Sequence, residues 1–263
     1  MIVALDVDVN DMVEARYADR KHEHVCPDPD CGGAMILHRG RRVAAHFAHK
    51  ENPCEWDRYT TQEHVDLQYI LVDEFRRRYG FEAASLEVFI GRRKADVLVR
   101  LPEQYQNERV KAIALEAQRA NVDHQVIEER TRDYTAQGVR VLWIPFLRDD
   151  PLDRYPVSGF LLKLITYYRN VDGTGAIITF YDPKRRLFRQ GTFEPLPPKW
   201  KEERYWYDKD GNERYQPGEW FQITAYWRLV LDPEPLLPSD LRFDFKKELR
   251  LNVLVGRWKR QAS

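Results

Sequence analysis

No run of apolar residues in this sequence approaches the roughly 18 to 20 that a helix needs to cross a bilayer. The opening MIVALDVDVNDMVEA is too acidic, and too short in its apolar part, for a secretory leader. The expectation is a cytoplasmic protein with no membrane partner. Cysteine is scarce as well: three residues in 263, an odd number that argues against a disulfide framework and leaves metal ligation or plain reduced thiols. Net charge is missing too, since 42 basic side chains balance 42 acidic ones. No long-range field draws polyanions, and any nucleic-acid contact has to come from local patches. What is present is a globular composition, 43% hydrophobic and 32% charged, long enough to bury a full core in one large domain or two modest ones.

The texture divides the chain into three parts. Residues 1–57 read as a small module of short strands, with CPDPDCGG as a tight turn that its proline and glycine residues keep from being helical. Residues 58–150 carry alternating patterns. In TTQEHVDLQYILVDEFRRRYG, apolar side chains at Val65, Leu67, Ile70, Leu71 and Phe75 have helical spacing, Gly80 supplies the stop, and Thr60 with Glu63 makes a capping-box pattern. SLEVFI, KADVLVRL and KAIALEAQ read as strands. A helix then runs from an N-cap at Asn121 to Gln137, with Gly138 at its end, and VRVLWIP reads as a buried strand. The order helix, three strands, helix, strand is α/β. Residues 151–263 are richer in aromatic and β-branched residues and read as mainly β, with a short helix in SGFLLKLITYYRN, a hairpin around Asp182 and Pro183, and an aromatic stretch from Trp200 to Trp227 read chiefly as core.

KAIALEAQ holds the sharpest clue. Strand alternation puts Ile113, Leu115 and Ala117 on one face and Ala112, Ala114, Glu116 and Gln118 on the other. Small side chains beside a carboxylate leave room for an ion or a water, and a buried carboxylate needs a cation, a hydrogen-bonding partner or a proton. Asp96, at the centre of KADVLV on the neighbouring strand, is a candidate partner for Glu116. Together they would make a hard oxygen site suited to Mg²⁺ or Mn²⁺, whose bound water becomes a nucleophile. Gln118 would orient that water without titrating. The alternative is an edge strand whose wet face carries Glu116 and Gln118. Glu63 on the first helix is either a cap or a further contributor to the site, and Glu87 on the first strand is a weaker acidic candidate. Arg130 shares a stripe with Val126, Ile127 and Tyr134. It would pair with a site acid, grip a phosphate, or hold the helix to the sheet.

Taken in order, CPDPDC, HFAH, TTQEHVDLQ, RRKADVLV, ALEAQ, ERTRDY and GVRVLWIP resemble the CoiA competence-protein family over roughly residues 24–147. The helix carries Gln68 where that family commonly has lysine. The resemblance implies a nuclease-like core of the PD-(D/E)XK type acting on DNA, with Asp96 and Glu116 as metal ligands, Gln118 in place of the usual lysine, and Glu63 as a helix-borne contributor. A catalytically inactive nucleic-acid-binding module of the same fold is the alternative. Protein partners are not legible, and single-stranded or branched DNA are both candidate substrates.

Five soft or borderline donors, Cys26, Cys31, His46, His49 and Cys54, fall in the N-terminal module, where a tetrahedral zinc needs four. Cys26, Cys31 and His49 lead as ligands of a zinc-ribbon-like site, against the alternative of small buried thiols and packing imidazoles. Arg41 and Arg42, between Arg39 and Lys50, are candidate nucleic-acid contacts, with a solvated hairpin tip as the other reading.

Overall fold

The computed structural model describes residues 1–40, 43–52, 54, 61–106, 110–118, 122–147, 164, 177–195, 199–221, 227–243 and 254–255. These form a mixed α/β architecture with few helices and several sheets. The candidate contacts Arg41 and Arg42 lie outside the described residues, as do Thr60, Asn121 and, apart from Leu164, the helix expected over 158–170.

The N-terminal part is a five-stranded antiparallel sheet of β1 (Val3–Asp6), β2 (Asp11–Glu14), β3 (His24–Val25), β4 (Ala34–His38) and β5 (His46–His49), in the order β2-β1-β3-β4-β5. Its core gathers Met1, Ala4, Ala15, Ala18, Cys26, Met35 and Phe47.

The central part follows the expected order. Helix α1 (Gln62–Tyr79) precedes β6 (Ala84–Ile90), β7 (Arg93–Arg100) and β8 (Ala112–Gln118), and α2 (His124–Ala136) connects β8 to β9 (Val139–Pro145). The sheet order is β6-β7-β8-β9. The first three strands run antiparallel, and β8 and β9 pair in parallel across α2, as a helical crossover requires. Each cap differs from its expected residue. Thr61 caps α1, its side chain accepting His64 N–H, and Asp123 occupies the N-cap of α2 without a side-chain cap bond. The alternation of β8 decides the two cores. Ile113, Leu115 and Ala117 pack with Leu67, Leu71 and Phe75 of α1, while Ala112 and Ala114 pack with Ile127 and Tyr134 of α2. Val126, assigned to that apolar stripe, is exposed instead.

In the C-terminal part, β10 (Ile177–Asp182) and β11 (Leu187–Pro195) form the expected hairpin around Asp182 and Pro183. It docks on the central part: Leu147 N–H donates to Tyr181 carbonyl, and Tyr181 and Phe188 enter the α1 core. The later aromatics depart from the core expectation. Among the described residues β13 (Arg204–Tyr207) and β14 (Glu213–Gln216) pair only with each other, and Tyr205, Trp206, Tyr207 and Tyr215 are exposed. Among the described residues no third strand joins this hairpin, and an isolated two-stranded hairpin leaves its side chains open to solvent.

The N-terminal sheet is seated on the central part through Glu87, which the sequence offered only as a spare acid. β6 and β7 pair on either side of it, at Leu86↔Val97 and Val88↔Ala95, and Glu87 itself has φ +47, a left-handed conformation costing about 1–3 kcal/mol for such a residue. The turned-in carboxylate accepts Ile2 N–H at 2.5 Å and Val3 N–H at 3.1 Å on one oxygen and Lys94 Nζ at 2.9 Å on the other. Burial works against ionisation of Glu87, but Lys94 and these donors hold its pKa below the ordinary value. Arg16 adds a second tie, bridging Glu14 and Asp73 and lying over the Tyr69 ring. Glu87→Ala removes the acceptor that ties the N-terminal strand to the sheet and takes a close carboxylate from buried Lys94, so it should lower unfolding stability by about 3 kcal/mol in a urea titration. An unchanged midpoint would remove Glu87 from this role.

Candidate active site

The site forms where β7 and β8 part. Their ladder runs from Arg100↔Ala112 to Val97↔Leu115 and stops there. At the next residue the Asp96 side chain takes over, and its Oδ2 accepts the Ala117 N–H at 2.8 Å. Oδ1 faces α1, accepting His64 Nε2–H at 3.0 Å and Gln68 Nε2–H at 3.2 Å. Burial by itself would raise the Asp96 pKa. His64, the Ala117 N–H and Arg130 reverse that and hold it below the usual carboxylate range. The same pairing, against the cost of burial, raises His64 above its ordinary value and favours imidazolium.

Glu116, on the alanine-lined face of β8, is 2% exposed. Both of its oxygens are engaged from α2: Tyr134 Oη–H donates to Oε1 and Arg130 Nη2–H to Oε2. The Arg130 guanidinium also lies 5.0 Å from the Trp143 ring centroid, which fixes it over the sheet. Burial raises the Glu116 pKa to about 7, with the negative charge of Asp96 adding to the rise, although Arg130 and Tyr134 pull the other way. The two carboxylates on neighbouring strands are thus shifted in opposite directions, Asp96 down by its hydrogen-bond donors and Glu116 up by burial. Such opposed shifts mark sites where charge is managed for chemistry.

Of the other candidates, Gln118 ends β8 beside Pro145 of β9, with its carbonyl accepting Phe146 N–H. Glu63 lies in the first turn of α1, and the helix groups that reach Asp96 are its neighbour His64 and Gln68. Gln125, one turn before Glu129, bonds to it within their own helix. Arg130 takes the first of its three readings, the pair with a site acid. His64 and Tyr134 are site residues beyond those expected from the strand pattern. The readable signal for His64 was its i, i+4 spacing to Gln68, which puts both on one face of α1.

The N-terminal sheet holds a second constellation. Ligand atoms of Cys26, Cys31, His49 and Cys54 all lie within 4.8 Å of one another. Cys26 Sγ is 3.9 Å from Cys54 Sγ, and Cys31 Sγ is 3.3 Å from His49 Nε2. In a zinc tetrahedron, metal bonds of about 2.3 Å to sulfur and about 2.0 Å to nitrogen separate two sulfurs by about 3.8 Å and sulfur from nitrogen by about 3.5 Å. The four residues could form such a site. Gly33 lets the knuckle close, because a Cβ there would sit 3.2 Å from His49 Cδ2. His46 stands apart. Three residues before His49 on a strand, it projects to the opposite face, where Nδ1 meets the Ala44 carbonyl at 2.9 Å and the ring stacks on His38.

The Arg130 charge should be felt directly at Glu116. In Arg130→Met the Glu116 carboxyl, followed by NMR, should titrate above its wild-type value of about 7. A midpoint that falls or stays would contradict the pairing.

Compared with known proteins, residues 61–192 match the family model described as competence protein CoiA, nuclease-like domain. No curated protein and no solved structure matches the chain.

Proposed function

The chain belongs to the family of the CoiA nuclease-like domain, and from that premise we propose that it is a divalent-metal-dependent nuclease that hydrolyses DNA phosphodiesters in competence, recombination or defence. One observation carries the reading: part-buried Asp96 and buried Glu116 stand on adjacent strands, and both helices aim polar groups at them. The arrangement of helix, three strands, helix and strand is taken as a PD-(D/E)XK core. It lies within residues 58–150, between an N-terminal zinc-ribbon-like module over 1–57 and a mainly β region over 151–263. The place of action is taken to be the cytoplasm.

The donor set suits a hard divalent cation. Besides the two carboxylates, the buried Gln68 Oε1 has no hydrogen-bond partner among the described residues. Asp96 and Glu116 would hold Mg²⁺ or Mn²⁺, which when bound supplies a Lewis acid that activates water and offsets charge on a phosphoryl oxygen. Gln118 would orient the water. His64, whose pairing with Asp96 favours the imidazolium, would place positive charge beside the reacting phosphate. Arg130 would exchange Glu116 for a phosphate oxygen and so act as the DNA contact. Glu63, at the mouth of the same helix, is retained as a contributor. In the N-terminal module, Cys26, Cys31, His49 and Cys54 would bind a structural Zn²⁺.

A second reading, a DNA-binding module without catalysis, is favoured by one specific feature. Each of the four oxygens of Asp96 and Glu116 already accepts a hydrogen bond from the protein. It predicts metal-independent affinity and no cleavage.

Incubation with single-stranded, duplex and branched DNA in Mg²⁺ or Mn²⁺ separates the two. Cleavage is expected. Asp96→Asn and Glu116→Gln should each reduce it at least about a hundredfold, the scale on which loss of one charge-stabilising group is felt. Because only ionised Glu116 attracts the cation, the rate should climb as pH rises through about 7. Folded variants that cut as fast as the parent would defeat the proposal.

A further inference from the structure

The turn between β1 and β2 carries a third set of metal-type donors, apart from the paired carboxylates and from the cysteine cluster. One ligand atom from each of Asp6, Asp8 and His22 lies within 4.8 Å of the other two. Asp6 is buried, and its Oδ1 accepts the N–H groups of Asp8 and Val9 at 3.1 and 3.3 Å. This leaves Oδ2 turned toward His22, 2.8 Å from Nδ1. Asp8 is held in turn by Glu23 N–H, which donates to its Oδ2 at 2.8 Å. The donors are thus fixed before any ligand arrives.

The independent observation is His24. Its ring packs against Phe47, and the residue is 4% exposed. Its Nε2 points at the same Asp6 oxygen from the buried side, 3.7 Å away, beyond hydrogen-bond length, and has no hydrogen-bond partner among the described residues. A buried ring nitrogen left without a partner is a feature that calls for an explanation. A cleft of about 480 Å³, lined by Arg20, His38 and Arg39, opens beside His22 and His24.

We propose that Asp6, Asp8 and His22, with His24 closing from beneath, bind one divalent transition-metal ion of the zinc class and so fasten the β1–β2 turn to β3. Mixed imidazole and carboxylate donors suit such an ion better than Mg²⁺ or Ca²⁺, which take oxygen ligands. The site differs from the cysteine cluster in holding no thiolate. Binding displaces the proton shared between His22 and Asp6.

The test is a Zn²⁺ titration of the full chain, labelled with ¹⁵N in its histidine rings and first dialysed against a weak chelator. His49 Nε2 reports the cysteine cluster, whereas His22 Nδ1 and His24 Nε2 report this site. A saturable shift of the His22 and His24 nitrogens is expected. His22 and Asp8 are solvent-accessible, so His22→Ala and Asp8→Asn should fold. Each should weaken this binding at least about tenfold while leaving the His49 response in place. Asp96→Asn should leave it unaltered, which keeps the result separate from metal at the paired carboxylates. His22 and His24 resonances that stay fixed through excess Zn²⁺ would overturn the proposal, as would binding undiminished in both variants.

Discussion

A carboxylate taken out of water must be given partners, and the centre of this molecule is organised by that requirement. Glu116 is carried into the interior by the alternation of β8, which buries every residue from Ala112 to Ala117. Its neighbours on that face are alanines, so partners can reach it only from α2, and Arg130 and Tyr134 do so. Asp96 is satisfied differently. It ends the β7–β8 ladder by taking the place of a backbone acceptor and draws His64 and Gln68 from α1. Two helices on two faces of one sheet are thereby registered on one pair of acids. A third acid repeats the logic at the edge of the sheet, where Glu87 in its left-handed conformation receives Lys94 and the backbone of the N-terminal strand.

That organisation explains how much could be read beforehand. The element order of the central part was legible because apolar periodicity and glycine stops agree there, and the placing of Asp96 and Glu116 on adjacent strands followed from the strand pattern. His64 was obscured by its neighbour. A capping box starting at Thr60 accounts for Glu63 and draws attention to the stripe through Leu67 and Ile70. The cap is instead Thr61, and the face toward Asp96 is the one through His64 and Gln68, one residue or about 100° around the helix. For the cysteine cluster the donors were countable, but choosing His49 over His46 required treating HFAH as a strand, with Phe47 and His49 on the buried side.

The C-terminal part was the least legible, for a physical reason. Aromatic and β-branched residues favour strands whether or not anything covers them. Composition therefore cannot separate the β10–β11 hairpin, whose Tyr181 and Phe188 fill the α1 core, from the β13–β14 hairpin, whose aromatics face solvent. The difference lies in which hairpin finds a neighbouring layer, and that is a long-range property.

The most direct test of the central claim is where a hard divalent ion settles. Crystals of the full chain soaked in Mn²⁺ should give an anomalous peak within bonding distance of a carboxylate oxygen of both Asp96 and Glu116, with Arg130 withdrawn from Oε2. If no peak appears between those two acids while Arg130 and Tyr134 keep their hold on Glu116, the two acids are a structural device and not the metal site of a nuclease.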